Sequence, residues 1–170
     1  MIAEILYTVF EWEGGDTLTN HPNDKGGETK YGISQRYHPE VDVSRLTETQ
    51  AIAIYIRDYW NPMRCVDLNS KRLRWKVFDT AVMFGTLRAA VMLQEAVEVD
   101  ADGVIGPVTI AAANAMPEDT VLTRMAFIQT KRRAYAVVKD TSQVVFLMGW
   151  IRRAQDLGEK IPDEETKRPA

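Results

Sequence analysis

The stretch LRWKVFDTAVMFGTLRAAVMLQEAV, residues 73–97, decides the fold class. Its apolar residues recur at helical spacing on both sides of Gly85, and glycine is the residue that most often closes a helix. We therefore predict one helix from Leu73 to Phe84 and a second from Leu87 to Val97. The chain shows no clear period-two strand pattern, so the sequence predicts a mainly α protein.

Helical signals continue on both sides of this stretch. Apolar spacing predicts a helix from Ile2 to Glu13, and Thr47 with Gln50 matches a capping box that starts another. The polar stretch from Asp16 to Gly32 is predicted as a loop with room for a small N-terminal hairpin. Further along we predict a tight loop from Asp100 to Gly106, helices from Pro107 to Ala115 and from Glu118 to Lys139, and a last helix capped by Thr141 or Ser142.

Composition limits the classes of function. Hydrophobic residues make up 45% and charged residues 26%, as in ordinary soluble globular proteins. The net charge of -3 comes without a basic stripe, so we predict no nucleic-acid partner. The single cysteine, Cys65, excludes an intramolecular disulfide and is interpreted as a core or surface thiol. No apolar run approaches the ~18 residues of a membrane span.

Two features that resemble metal sites are interpreted as structural. His21 and His38 lack ligand spacing, which argues against a zinc peptidase. Residues 98–103 place acids at the first, third and fifth positions of a calcium-like loop, but the position of its bidentate glutamate holds no acid. We therefore predict no metal, and a tight turn in which Gly103 and Gly106 take backbone angles costly for other residues.

Glu13 is the candidate for chemistry. It ends the first predicted helix beside Trp12, where it faces the negative end of the helix dipole. The dipole and the aromatic neighbour both disfavour the charged carboxylate, so we expect a raised pKa for Glu13. A general acid for glycosidic cleavage requires such a pKa. Taken alone, a solvated glutamate in a last helical turn would show the same pattern.

The loop after Glu13 supplies candidate partners. Glycosidases need a second carboxylate or a water-positioning group across the sugar, and Asp16 and Asp24 are the candidates. The glycines of this loop, Gly26, Gly27 and Gly32, allow the backbone to approach a polysaccharide chain closely. Taken alone, this segment is also what an ordinary polar surface loop looks like.

The order of these motifs resembles glycoside hydrolase family 108, which includes phage endolysins and secretion activators. The resemblance is carried by EGG at 13–15, by Asn20, Pro22 and Asp24, and by GGETKYGI at 26–33. It implies a lysozyme-like helical bundle with Glu13 as the catalytic acid. The layout is also similar to that of phage lysozymes, which implies Asp24 and Thr29 as catalytic partners. The neighbouring residues expected to bind substrate are Trp12, Gly14, Gly15, Glu28, Tyr31 and Gly32.

The second half resembles the peptidoglycan-binding segment that accompanies this family. The matching residues are 78–82, Gly85, Leu93-Gln94, 102–107, Thr109 and 146–153. The resemblance implies a catalytic half over residues 1–85 and a peptidoglycan-binding half over residues 86–158. Apolar patterning continues across Gly85, so we expect the halves to pack as one unit, followed by a frayed tail over residues 159–170.

The leading hypothesis is a monomeric muramidase that cleaves the glycan strand of peptidoglycan between N-acetylmuramic acid and N-acetylglucosamine. Two alternatives stay open: a lytic transglycosylase, which works with one glutamate, and a non-catalytic wall-binding or secretion-accessory module. No cofactor is implied. The N-terminus lacks a basic segment followed by an apolar one, so we expect synthesis in the cytoplasm without a signal peptide. Release to the wall would then depend on a holin or a secretion system.

Overall fold

The structure is a computed structural model that describes residue 5 and residues 15–19 and 27–158. The predicted helix from Ile2 to Glu13 lies outside the described residues except for Ile5, which is helical and fully buried. The chain divides into two compact units, Met1–Asp58 and Tyr59–Ala170.

A small hairpin is the first described feature of the Met1–Asp58 unit. Strands β1 (Thr29–Lys30) and β2 (Ile33–Ser34) pair antiparallel. Between them, Tyr31 and Gly32 both have positive φ angles, of 54° and 73°. Two consecutive residues with positive φ are typical of a type I′ turn, whose backbone twist matches the twist of the two strands that it joins. The predicted N-terminal hairpin is therefore confirmed, with its turn inside the motif that carries the family resemblance.

A capped helix follows the hairpin. The 3-10 turn Val43–Arg45 leads to helix α1 (Glu48–Tyr55). The Thr47 side chain accepts a hydrogen bond from the backbone N–H of Gln50, and the Gln50 side chain accepts one from the backbone N–H of Thr47. This reciprocal pair confirms the predicted capping box. Helix α1 continues as the π-helical turn Ile56–Trp60 and stops before Asn61-Pro62.

In the described part of the Tyr59–Ala170 unit, residues 59–158, five α-helices follow a 3-10 turn at Cys65–Asp67. Their bounds lie within two residues of the predicted ones wherever a bound was predicted. They are α2 (Lys71–Phe84), α3 (Thr86–Ala96), α4 (Pro107–Ala115), α5 (Glu118–Lys139) and α6 (Val144–Gln155). The chain is thus mainly α, as predicted.

Helix α2 lies at the centre of this unit, since every residue from Trp75 to Ala81 is buried. Three side chains on one face of α2 reach the end of α6: Arg72, Lys76 and Asp79. Lys76 Nζ donates to the carbonyl oxygens of Ala154, at 2.6 Å, and Asp156, at 3.0 Å. Arg153 donates to Asp79 Oδ1 at 2.8 Å and 3.0 Å. We call these contacts the α6 clasp; they satisfy polar groups that burial would otherwise penalise.

Two local predictions are wrong. Gly103 does take a positive φ of 79°, but Gly106 is extended, with φ of -101° and room for a Cβ. The special backbone angle in this turn therefore falls on Gly103. The last helix is not capped by Thr141 or Ser142, because these residues lie in a separate 3-10 turn. The Asp140 side chain caps that turn by accepting from the backbone of Ser142.

Cys65 is completely buried, and burial raises the pKa of its thiol, so it is a core residue. Within the described residues, no helix is both long enough and apolar enough to cross a bilayer.

Candidate active site

The predicted site residues fall into two groups. Trp12, Glu13, Gly14 and Asp24 lie outside the described residues. The structure brings the others together at the hairpin and the segment paired with it: Gly15, Glu28, Thr29, Tyr31 and Gly32.

Gly15 is joined directly to the hairpin turn. Its carbonyl oxygen accepts a hydrogen bond from the backbone nitrogen of Tyr31 at 3.0 Å. Its φ of 63° lies in the left-handed region, which glycine occupies without a steric penalty. This bond fixes the backbone of Gly15, which follows the candidate acid Glu13 by two positions in the sequence.

Thr29 occupies the strand next to that turn. Its backbone pairs with Thr19 through two hydrogen bonds of 2.8 Å and 2.9 Å, which brings a third segment alongside the hairpin. Its hydroxyl donates to Gly27 O at 3.4 Å, a long distance for an O–H···O bond. The half-buried Thr29 hydroxyl is therefore weakly held and can rotate toward a ligand.

Tyr31 is fixed by residues that the sequence analysis did not select. Tyr55 Oη donates to the carbonyl oxygen of Tyr31 at 2.8 Å, which ties α1 to the turn. Lys30 Nζ donates to Leu46 O at 2.9 Å and lies 5.5 Å from the centre of the Tyr31 ring. Desolvation, and next the negative charge of Asp16, raise the pKa of Tyr31, so the phenol stays protonated at neutral pH.

The side chain of Gln35 orders the loop between the hairpin and α1. Gln35 Nε2 donates to the carbonyl oxygens of His38, at 3.2 Å, and Val41, at 2.7 Å, and Gln35 Oε1 accepts from Val43 N at 3.3 Å. Beside this loop lies an open cavity of about 370 Å³, which is within the size range of small-ligand sites. Its lining residues are Glu40, Val41, Asp42, Arg45, Leu46, Gln50, Ala53 and Ile54.

Carboxylates near His38 are held by ion pairs. His38 Nδ1 lies 3.5 Å from Glu40 and 4.0 Å from Asp58, and Arg57 forms two hydrogen bonds to Asp58. Over the described parts of the chain, no group of three or more His, Cys, Asp or Glu side chains could hold a metal ion.

The turn that resembled a calcium loop is organised by the buried side chain of Gln94. Its Nε2 donates to Asp102 Oδ1 at 2.7 Å and to Val104 O at 3.0 Å, while its Oε1 accepts from Gly103 N at 2.8 Å. The bond from Gln94, and next that from Val104 N, lower the pKa of Asp102. The Asp102 carboxylate is therefore engaged in holding the turn, as its structural interpretation predicted.

Comparison with known proteins decides the family. The family model described as glycosyl hydrolase 108 matches residues 6–85, and the model described as predicted peptidoglycan domain matches residues 88–155. Among solved structures, that of Brucella abortus SagA has a TM-score of 0.75 and 33% identity, covering 94% of this chain and 92% of that chain. The chain belongs to glycosyl hydrolase family 108. A search among curated proteins gives no match.

Membership of family 108 makes the chain a glycosidase that hydrolyses peptidoglycan, with a peptidoglycan-binding domain after the catalytic one. The resemblance inferred from the motifs is thereby confirmed. The two family matches meet between residues 85 and 88, whereas the compact units divide between Asp58 and Tyr59. The predicted division into 1–85, 86–158 and 159–170 stays a prediction.

Proposed function

We propose that this family 108 protein is an N-acetylmuramidase that hydrolyses the bond between N-acetylmuramic acid and N-acetylglucosamine. The family match over residues 6–85 carries the proposal, because it spans Glu13 and the whole motif through Ile33. The Glu13 carboxyl protonates the glycosidic oxygen, which leaves as a hydroxyl. Water adds to the anomeric carbon and gives up its proton to Asp24 or, where Asp24 only stabilises the transition state, to the Glu13 carboxylate.

The hairpin contacts support this role by fixing the backbone of Gly15, which follows Glu13 by two positions in the sequence. Catalytic groups are effective when neighbouring hydrogen bonds hold them in place, and the bonds from Tyr31 to Gly15 and from Tyr55 to Tyr31 provide such support. Asp24 either activates the attacking water or stabilises the oxocarbenium-like transition state. Thr29 supplies a rotatable hydroxyl as a further hydrogen-bonding group.

Digestion of purified peptidoglycan, followed by mass spectrometry of the products, tests the reaction. A muramidase releases fragments with a reducing N-acetylmuramic acid end. Anhydro ends, lighter by one water, would instead identify a lytic transglycosylase. Binding to insoluble wall without any released fragment would identify a non-catalytic wall-binding module.

Asp24→Asn tests the second carboxylate, and Asp16→Asn is its matched control. Substitutions in polar loops usually change stability by less than about 0.5 kcal/mol, so both variants should fold. We expect Asp24→Asn to lose most of its turnover number and Asp16→Asn to keep it. Loss of activity in Asp16→Asn together with an active Asp24→Asn would assign the second carboxylate to Asp16.

Delivery to the wall by a separate factor, a holin or a secretion system, is part of the same proposal. Cells that express the protein should stay intact until a pore-forming holin is co-expressed, whereas purified protein should lyse permeabilised cells directly. Lysis on expression of the protein alone would contradict this route.

A further inference from the structure

A cavity of about 430 Å³ opens between the end of α3 and the middle of α5, inside the region matched by the peptidoglycan-domain model. Phe127 forms its apolar wall with 69% of its surface exposed. Exposed aromatic surface in a cavity is typical of ligand sites. The lining residues are Glu95, Glu98, Thr123, Arg124, Phe127 and Ile128.

Charged groups at this cavity are already paired and held in place. Arg124 lies 3.1 Å from Glu98 and also donates to Ala96 O at 2.9 Å, while Arg132 donates to Glu95 at 2.8 Å. Two acids and two bases leave the cavity edge electrically neutral. Such an edge suits an uncharged ligand with many hydroxyl groups better than a charged peptide, because a charged ligand would have to break one of the pairs.

Glu98 occupies a position that is locally unfavourable for it. Beyond the end of helix α3, Val99 N donates a hydrogen bond to Gln94 O, as in a Schellman motif. The residue of that motif with left-handed backbone angles is usually glycine. Here that residue is Glu98, with φ of 61°. A side chain at this angle is strained, and a carboxylate at a helix C-terminus opposes the dipole. The chain therefore places an acid at the cavity at the expense of local stability.

We infer that this cavity is a glycan-binding subsite of the peptidoglycan domain, in which Phe127 packs against the apolar face of an N-acetylhexosamine. The carboxylates of Glu95 and Glu98 and the guanidinium of Arg124 hydrogen-bond the sugar hydroxyls at the edge of the ring. The inference rests on the proposed action on the glycan strand and adds the place and the wall component that the domain recognises.

Binding to purified insoluble peptidoglycan, in which amide bonds to the stem peptides leave the glycan strand itself uncharged, tests the subsite. Phe127→Ala should weaken binding by about tenfold, the scale expected for truncating an anchoring aromatic. Tyr135→Ala is the matched control, because Tyr135 is also exposed, at 61%, on the same helix but outside the cavity. Equal affinity of Phe127→Ala and the parent would overturn the assignment.

Glu98→Gly provides a second test with opposite effects on stability and binding. Glycine relieves the left-handed strain, so the melting temperature should stay level or rise by ~2–4 °C while glycan affinity falls. Retained affinity would remove Glu98 from the subsite.

Two further outcomes separate this inference from the muramidase proposal. Competition by soluble stem peptides, with no competition by a chitin trisaccharide, would overturn the glycan assignment. Absence of released fragments from the parent protein would refute the muramidase proposal, while the binding comparison between Phe127→Ala and Tyr135→Ala would still decide the subsite.

Discussion

At the level of single side chains, the proposed activity depends on the proton of Glu13. A general acid of this kind typically contributes ~10²–10⁴-fold to the rate. Glu13→Gln keeps the shape of the side chain but cannot deliver that proton. We expect the variant to fold and bind wall polymer like the parent, and to lose lytic activity by about that factor. Clearing of cell walls at a near-parental rate would remove the catalytic assignment.

Lys76 gives a pH-dependent contribution to stability. Desolvation lowers its pKa from 10.5 to about 8 against the opposing effect of the Asp79 charge. The neutral amine keeps two N–H groups, enough for both carbonyl oxygens of the α6 clasp. Between pH 8 and 10.5 the unfolded chain binds more protons at this group than the folded chain, so its contribution to the free energy of unfolding rises with pH.

The measurement compares the free energy of unfolding of the parent with that of Lys76→Met at each pH. The difference should grow from pH 8 to pH 10 by an amount on the order of 1–3 kcal/mol. Burial raises the pKa of the Cys65 thiol, so above pH 9 this group makes the free energy of unfolding fall as the pH rises. Both proteins contain Cys65, and its effect therefore cancels in the difference. A difference that stays constant across this range would show that Lys76 is not neutralised in the folded protein.

Single residues also show what the sequence could and could not predict at the site. Gly15 and Tyr31 could be selected from the sequence because each belongs to a short motif of contiguous residues. Tyr55 was missed, since its contact with Tyr31 spans 24 positions and local pattern carries no information on such pairs. The sequence analysis did not select Lys76, because only the packing of α2 against the end of α6 explains its burial.

At the level of elements, local signals predicted the helices well. Capping boxes, Pro107 at a first turn and Gly85 at a helix end act within a few residues, so they can be seen in the sequence. The entry to α6 was mispredicted because Asp140, Thr141 and Ser142 are all good capping residues. Sequence alone did not show which of them would accept the bond.

The turn between α3 and α4 yields a prediction on its two glycines. Gly103→Ala should lower the free energy of unfolding by about 1–2 kcal/mol, because its φ of 79° strains any other residue. Its new Cβ would also lie 2.5 Å from a methyl group of Leu87, an exposed side chain that can move. Gly106→Ala is the control and should be neutral within about 0.5 kcal/mol, since its extended backbone has room for a Cβ. Urea unfolding measures the free energy of unfolding of both variants. Equal losses in Gly103→Ala and Gly106→Ala would contradict the assignment of the strained backbone to Gly103.

At the level of the whole molecule, we expect one unfolding transition. The division between the compact units falls between Asp58 and Tyr59, inside the π-helical turn Ile56–Trp60 rather than in a flexible linker. The apolar helical patterning of the sequence also continues across Gly85 without a Pro-, Gly- or Ser-rich linker, and small single domains usually unfold in one transition. Scanning calorimetry should show a single peak whose van't Hoff and calorimetric enthalpies agree. Two separated peaks would contradict this prediction.

The α6 clasp has a mechanical consequence. A pulling force applied to the chain beyond Gly158, such as that of an ATP-driven unfoldase, first reaches the carbonyl group of Leu157, to which Arg72 donates, and then the carbonyl groups of Asp156 and Ala154. The last two are held by Lys76 from a helix at the centre of the unit, so the load passes into the core before α6 can peel away. The end of α6 is therefore a mechanically resistant point, and a degradation tag attached there should be processed more slowly in the parent than in Lys76→Met.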